Sequence, residues 1–301
     1  MKIAITGASG LLGAHLASAF RTHHEISGID RNEWWGDWPL DLVKGELHDP
    51  AFAEQAVTGI QPDVLIHCAG TVNVDACEKD PAQALEHNRG ITQHLLHSVS
   101  PRCLFVYIST DSLFSGNSRL WTEDQQPSPV NVHAKTKLEA EHAVSQHPQH
   151  LIVRTNFYGW SSGRKKTAAE WLYGALERQE PITLFDDFFF TPIYVVDLAG
   201  ILHRMVEREA RGLFHVAGAD RVSKYEFGAM MARGMKVSMD NVRKGTLAEM
   251  PLGAPRAPDI SLGSGKAEKI LGEPMPRCED GVARFLSDFK KPLSERFRCN
   301  A

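Results

Sequence analysis

The sequence predicts an α/β fold, a doubly wound parallel sheet with a smaller C-terminal lobe. Three observations lead there. Short apolar runs alternate with segments of helical period through the first half of the chain. The runs are continuous, as in Val64-Leu65-Ile66, which is expected of strands covered by helices on both faces. A glycine-rich turn joins the first run to the first helical segment.

Taken in order, Lys2–Thr6 reads as a buried strand, 11–21 as a helix and Glu25–Asp30 as the second strand. A helix over 51–57, a strand over 63–68, a long helix over 81–99 and a strand over 103–109 follow. A helix over 131–145 and a strand over 151–155 close this half. From about residue 156 the pattern loosens: a helix over 166–178, an aromatic loop over 185–192, a helix over 194–207 and a strand over 213–216 that returns to the main sheet. A helix over 224–233, a proline-rich segment (Pro251, Pro255, Pro258) and a C-terminal helix complete the chain. The expected division is a main domain over 1–155, rejoined by 193–217, and a lobe from 156–192 and 218–301 closing over the carboxyl ends of the strands.

Composition narrows the function. The 301 residues suffice for one large domain or two intimate ones. At 43% hydrophobic and 23% charged, the chain is neither disordered nor low-complexity. Its 33 Lys+Arg against 37 Asp+Glu leave −4, without the basic footprint of a nucleic-acid binder. No apolar run reaches the ~18 residues of a membrane span. The N-terminus turns glycine-rich too early for a signal peptide. Cys68, Cys77, Cys103, Cys278 and Cys299 are scattered without a CxxC pair, which points to reduced thiols in a cytoplasmic protein. No metal is expected, since no HExxH-type spacing occurs, and His23-His24, His147 and His150 read as solvated residues at element ends.

The turn Gly7-Ala8-Ser9-Gly10-Leu11-Leu12-Gly13 is a GxxGxxG pattern between a strand and a helix. Its glycines let the chain reverse and approach a diphosphate. Free N–H groups at the helix start, aided by the helix dipole, hold the negative charge. That is the dinucleotide seat of a Rossmann domain. Asp30, about twenty residues on, is placed for the adenosine ribose hydroxyls and favours NAD; Arg31 beside it would suit the 2′-phosphate of NADP. Trp34, Trp35 and Trp38 then either cover the adenine or pack on the neighbouring helix.

Further segments resemble the extended short-chain dehydrogenase/reductase family, and within it the dTDP-4-dehydrorhamnose reductases. Gly45-Glu46-Leu47 resembles the family's segment near the adenine. The stretch 61–70, ending His67-Cys68-Ala69-Gly70, is similar to its fourth strand and the loop under the cofactor, and Val74-Asp75 and Asn88 match positions beyond. Ser109-Thr110-Asp111-Ser112-Leu113-Phe114 resembles "STDYVF", and 129–139 resembles "PLNVYGKTKLE". Arg154-Thr155, Phe190-Thr191-Pro192 and 254–258 extend the likeness over most of the chain.

One departure stands out. Where the family carries Tyr-x-x-x-Lys, this chain has His133 and Lys137. Residues four apart share a helix face, so both side chains can meet one site, with Thr110 arriving from a strand end. The resemblance implies that Thr110 hydrogen-bonds a substrate carbonyl, that Lys137 binds the nicotinamide ribose, and that His133 replaces the proton-donating tyrosine. An imidazole titrates near neutral pH, but a nearby ammonium lowers its pKa, and the ring is shorter than a phenol. Asp111, Phe157, Tyr158 and Arg256 are the expected substrate-side residues, Arg256 as a fork for a substrate diphosphate. The expectation is an NAD(P)-dependent reductase of a nucleotide-linked keto sugar, and the resemblance permits a homodimer. The alternatives are a cofactor-binding regulatory subunit without hydride transfer, or an epimerase or dehydratase.

Overall fold

The computed structural model describes residues 1–296; Cys299 lies outside the described residues. Seven strands form one parallel sheet: β1 (Lys2–Thr6), β2 (Glu25–Asp30), β3 (Asp41–Lys44), β4 (Val64–His67), β5 (Leu104–Ile108), β6 (His150–Arg154) and β7 (Gly212–His215). Their order is β3-β2-β1-β4-β5-β6-β7. The order reverses between β1 and β4, where Thr6 pairs with His67, and this switch point opens the crevice at the carboxyl ends.

Strand alternation builds two cores. Ile3, Ile5, Ile66, Val106 and Val153 pack with α1 (Leu11–Phe20) and, further along the chain, the helix Val195–Glu207 on one face. Ala4, Leu65, Phe105, Tyr107 and Ile152 face α2 (Pro50–Ile60), α3 (Ile91–Ser98) and α4 (Val132–Val144). β7 pairs in parallel with β6, so the chain does return to the main sheet after its excursion. That excursion holds α5 (Ala168–Glu177) and leads into α6 (Val195–Glu207). α7 (Lys224–Met235), α8 (Gly265–Leu271) and α9 (Cys278–Ser287) follow. Three two-stranded pairings complete this part, Phe157–Tyr158 with Ile193–Tyr194, Ile182–Phe185 with Val242–Gly245, and Phe189–Phe190 with Val222–Ser223.

The structure corrects three sequence expectations. β3 escaped notice because it is a four-residue edge strand with charged ends, Asp41 and Lys44. The helix expected over 81–99 is Pro81–Leu85, a π-helical turn at Glu86–Gly90, then α3; the turn carries the buried Asn88. The aromatic loop over 185–192 contains a short strand, Phe189–Phe190. No described helix is long and apolar enough to cross a membrane.

Candidate active site

The glycine turn is built as its chemistry requires. Gly7 has φ +66°, and a Cβ there would crowd the backbone of Cys68 and Ala69. A Cβ on Gly13 would lie 2.2 Å from the Gly7 carbonyl oxygen, so the turn closes onto α1 only with glycine. Gly10 N–H donates to Gly7 O at 2.9 Å. α1 has no side-chain cap and no acidic residue in its first turn. The N–H groups of Leu11, Leu12 and Gly13 therefore end the helix without an intrahelical partner. By contrast, Asn131 caps α4 and Thr167 caps α5. This is a cradle that fits a dinucleotide diphosphate.

Asp30 is buried and braces the turn: Oδ2 accepts from Ser9 N–H at 2.9 Å, and Oδ1 accepts from Asn32 N–H at 2.8 Å. Arg31 is exposed and lies 3.9 Å from Glu46, also exposed; Leu47 beside it is buried. Trp35 donates to Ser9 O at 2.8 Å and covers the turn, while Trp38 packs beneath Arg21 at 4.3 Å.

The floor of the crevice is the end of β4. His67 is fully buried, bridging Thr6 Oγ1 (2.7 Å) and Thr92 Oγ1 (3.1 Å). Burial, with Lys137 nearby, lowers its pKa to about 3, so it is a neutral structural residue. Cys68 follows, its thiol pushed up to about 12 by burial against the opposing pull of Lys137. Ala69 N–H approaches Thr6 Oγ1 at 3.3 Å, and Gly70 takes φ +156°. Asn88 locks this loop: its Oδ1 accepts from Thr71 N–H (2.9 Å) and its Nδ2 donates to Thr136 Oγ1 (3.0 Å).

α4 carries His133 and Lys137, both buried. Asn131 caps it through Ala134 N–H and donates to Pro255 O, tying it to the 254–256 loop. Glu141, on the same helix, holds Arg154 of β6 through a buried bidentate pair, Nη2 to Oε2 at 2.7 Å. Lys137 Nζ donates to Ile108 O at 2.7 Å and sits 4.1 Å above the Tyr107 ring. Burial lowers its pKa to about 8 despite the raising influence of Glu141 and Cys68. His133 is 6% exposed, and its Nδ1 has no hydrogen-bond partner. Burial first, then Lys137 and Arg256, lower its pKa to about 4. Thr110 is half-buried after β5, with Oγ1 3.3 Å from Asp111 Oδ1.

Of the substrate-side expectations, Tyr158 is corrected. Its ring packs against Phe227 and Phe285, its hydroxyl is buried without a partner, and burial drives its pKa well up; it is core. Strand alternation puts half-buried Phe157 on the opposite face. Arg256 spends its fork on Asp75 (2.9 Å) and Ala254 O (2.9 Å). Asp111 is buried and accepts from Asn156 Nδ2 at 2.6 Å and from Ser112 Oγ. Burial raises its pKa, opposed by Lys224, whose own pKa burial lowers. Asn156 and Lys224 escaped the sequence reading. Asn156 had a signal, a polar residue just past a strand end; Lys224 reaches this region from a distant helix start and had none.

Comparisons with known proteins agree with this architecture. The RmlD substrate binding domain matches residues 1–291. A dTDP-4-dehydrorhamnose reductase from Mycobacterium tuberculosis is 28% identical over 272 residues, 87% of this chain and 85% of the relative. Methionine adenosyltransferase 2 subunit beta from Xenopus tropicalis is 29% identical over 286 residues, 90% of this chain and 83% of the relative. The crystal structure of dTDP-4-dehydrorhamnose reductase from Bacillus anthracis in complex with NADP superposes with a TM-score of 0.85 at 24% identity, covering 95% of this chain and 99% of that one, and shows a shared fold. The chain belongs to the RmlD substrate binding domain family.

Proposed function

We propose that this protein reduces the keto group of a nucleotide-linked sugar, using a nicotinamide dinucleotide seated on the glycine turn. The observation that carries this reading is a convergence at the strand ends. An uncapped helix start lies on one side of the switch point, and Thr110, His133 and Lys137 lie on the other. The reductase relative and the NADP-complexed neighbour support it. When bound, the reduced nicotinamide supplies a hydride.

The chain's own task is to hold the carbonyl and deliver one proton. Thr110 Oγ1 offers a hydrogen bond at the end of β5. The unpartnered Nδ1 of His133 offers a second, since a buried polar nitrogen costs free energy until a ligand meets it. At neutral pH this imidazole is uncharged, so it acts as a hydrogen-bonding group or relay. The proton originates on Lys137, one turn along the same helix, whose ammonium titrates near 8. One hydride and one proton convert C=O to CH–OH, and Lys137 is reprotonated from solvent. Asp30 favours NADH in the adenosine site.

The test is oxidation of NADH or NADPH by purified protein with a panel of nucleotide 4-keto sugars. Coenzyme oxidation matched by sugar alcohol is expected. Tight coenzyme binding with no turnover, in both the natural protein and His133→Tyr, would overturn the reading and leave a non-catalytic subunit.

A further inference from the structure

Away from the crevice, at the opposite end of α1, the fold gathers a cluster that no step of the proposed reaction uses. His24 lies in the turn between α1 and β2, and His203 and Glu207 lie one turn apart near the end of α6. One donor atom from each falls within 4.8 Å of the other two. His24 Nε2 is 3.0 Å from Glu207 Oε1, and the His24 side chain is only 7% exposed. Neither ring nitrogen of His24 has an aligned hydrogen bond, and Nε2 of His203 is buried without one. His24 Nδ1 and His203 Nε2 are thus buried without a partner while His24 Nε2 faces only Glu207, and buried polar atoms are normally satisfied.

We infer that His24, His203 and Glu207 form a binding site for a divalent transition ion of the zinc class. Two imidazoles and a carboxylate are a borderline donor set that suits zinc, with a fourth position left for water. Ligand atoms about 2.0–2.2 Å from one ion lie some 3–3.5 Å apart, the separation His24 and Glu207 already hold. Glu207 is about half exposed and free to turn toward the ion. The fully buried Phe20 gives the site an apolar floor, its ring edge-on to His203 at 4.7 Å, and His23 stacks on His203 at 5.6 Å.

The local charges permit binding. The positive groups facing the cluster are the N-terminal amine and Arg204, and Arg204 is engaged by Glu273. An ion here would clip the end of α1 to the end of α6. The ten-residue α1 holds it about 15 Å from the glycine turn, so it acts on stability and not on turnover. Sequence spacing hid the site because its ligands come from segments nearly two hundred residues apart.

The test uses the full chain without a histidine tag, titrated with Co²⁺ and followed by its visible ligand-field bands. One equivalent should give the bands of a four-coordinate ion, and one equivalent of Zn²⁺ should erase them. Zn²⁺ should raise the Tm without changing the turnover rate. His203→Ala should abolish the bands. Glu207→Gln, at an exposed position that does not threaten folding, should weaken Co²⁺ at least about tenfold. His97→Ala, an exposed histidine elsewhere, should change nothing. Absence of the bands in the natural protein, or their persistence unweakened in Glu207→Gln, would overturn the assignment.

Discussion

The two sides of the crevice make different demands on the chain. The glycine turn works through backbone: its donors are N–H groups, and its geometry survives only where Cβ atoms are missing, as at Gly13. The α4 face works through individual side chains whose protonation the surroundings set. The first side keeps its GxxGxxG spacing throughout, and the second places His133 four residues before Lys137. Seating a coenzyme and delivering a proton are thus separable properties, and substitution can attack one without the other.

The largest expected effect is on the chemical side. Lys137→Met should lower turnover about 10²–10⁴-fold, the range for loss of a positioned acid, with the glycine turn left intact. Initial rates at saturating coenzyme measure it; a change of only a few-fold would remove Lys137 as the proton source. Second is Gly13→Val. Its side chain meets a carbonyl 2.2 Å from the first added carbon, which should cost about 3 kcal/mol of stability and abolish detectable coenzyme uptake. Urea unfolding and calorimetry read the two losses.

The floor beneath both sides is smaller in effect and depends on pH. His67 titrates near 3 when folded and near 6.5 when unfolded, so below pH 6.5 the unfolded chain binds the extra proton. Its contribution is complete above pH 6.5 and is lost progressively as pH falls toward 3. By pH 5 the loss is about 2 kcal/mol. In His67→Asn, the drop in stability between pH 7 and 5 should shrink by about that amount. The mildest change is His133→Tyr, expected to raise turnover about tenfold by restoring the reach of a phenol. In the natural protein, turnover should decline above about pH 8 as Lys137 loses its proton, with no inflection near 6.5. An inflection there would mean that a charged His133 is the acid.

The sheet and its switch point were legible because buried strands write continuous apolar runs and the glycine turn has a fixed context. The face shared by His133 and Lys137 was legible for the same local reason, their spacing on one helix. What escaped depends on long-range contacts. Tyr158 looked like a substrate residue from its place after β6, yet Phe227 and Phe285, from α7 and α9, enclose it. Arg256 looked like a free phosphate fork, but Asp75 arrives from the first half of the chain to occupy it. The π turn that places Asn88 has no composition of its own.

The most direct measurement is calorimetric titration of ligand-stripped protein with NADH and NADPH. One site per chain is expected for at least one coenzyme, lost in Gly13→Val and kept in His133→Tyr. No uptake of either coenzyme by correctly folded protein would contradict this expectation.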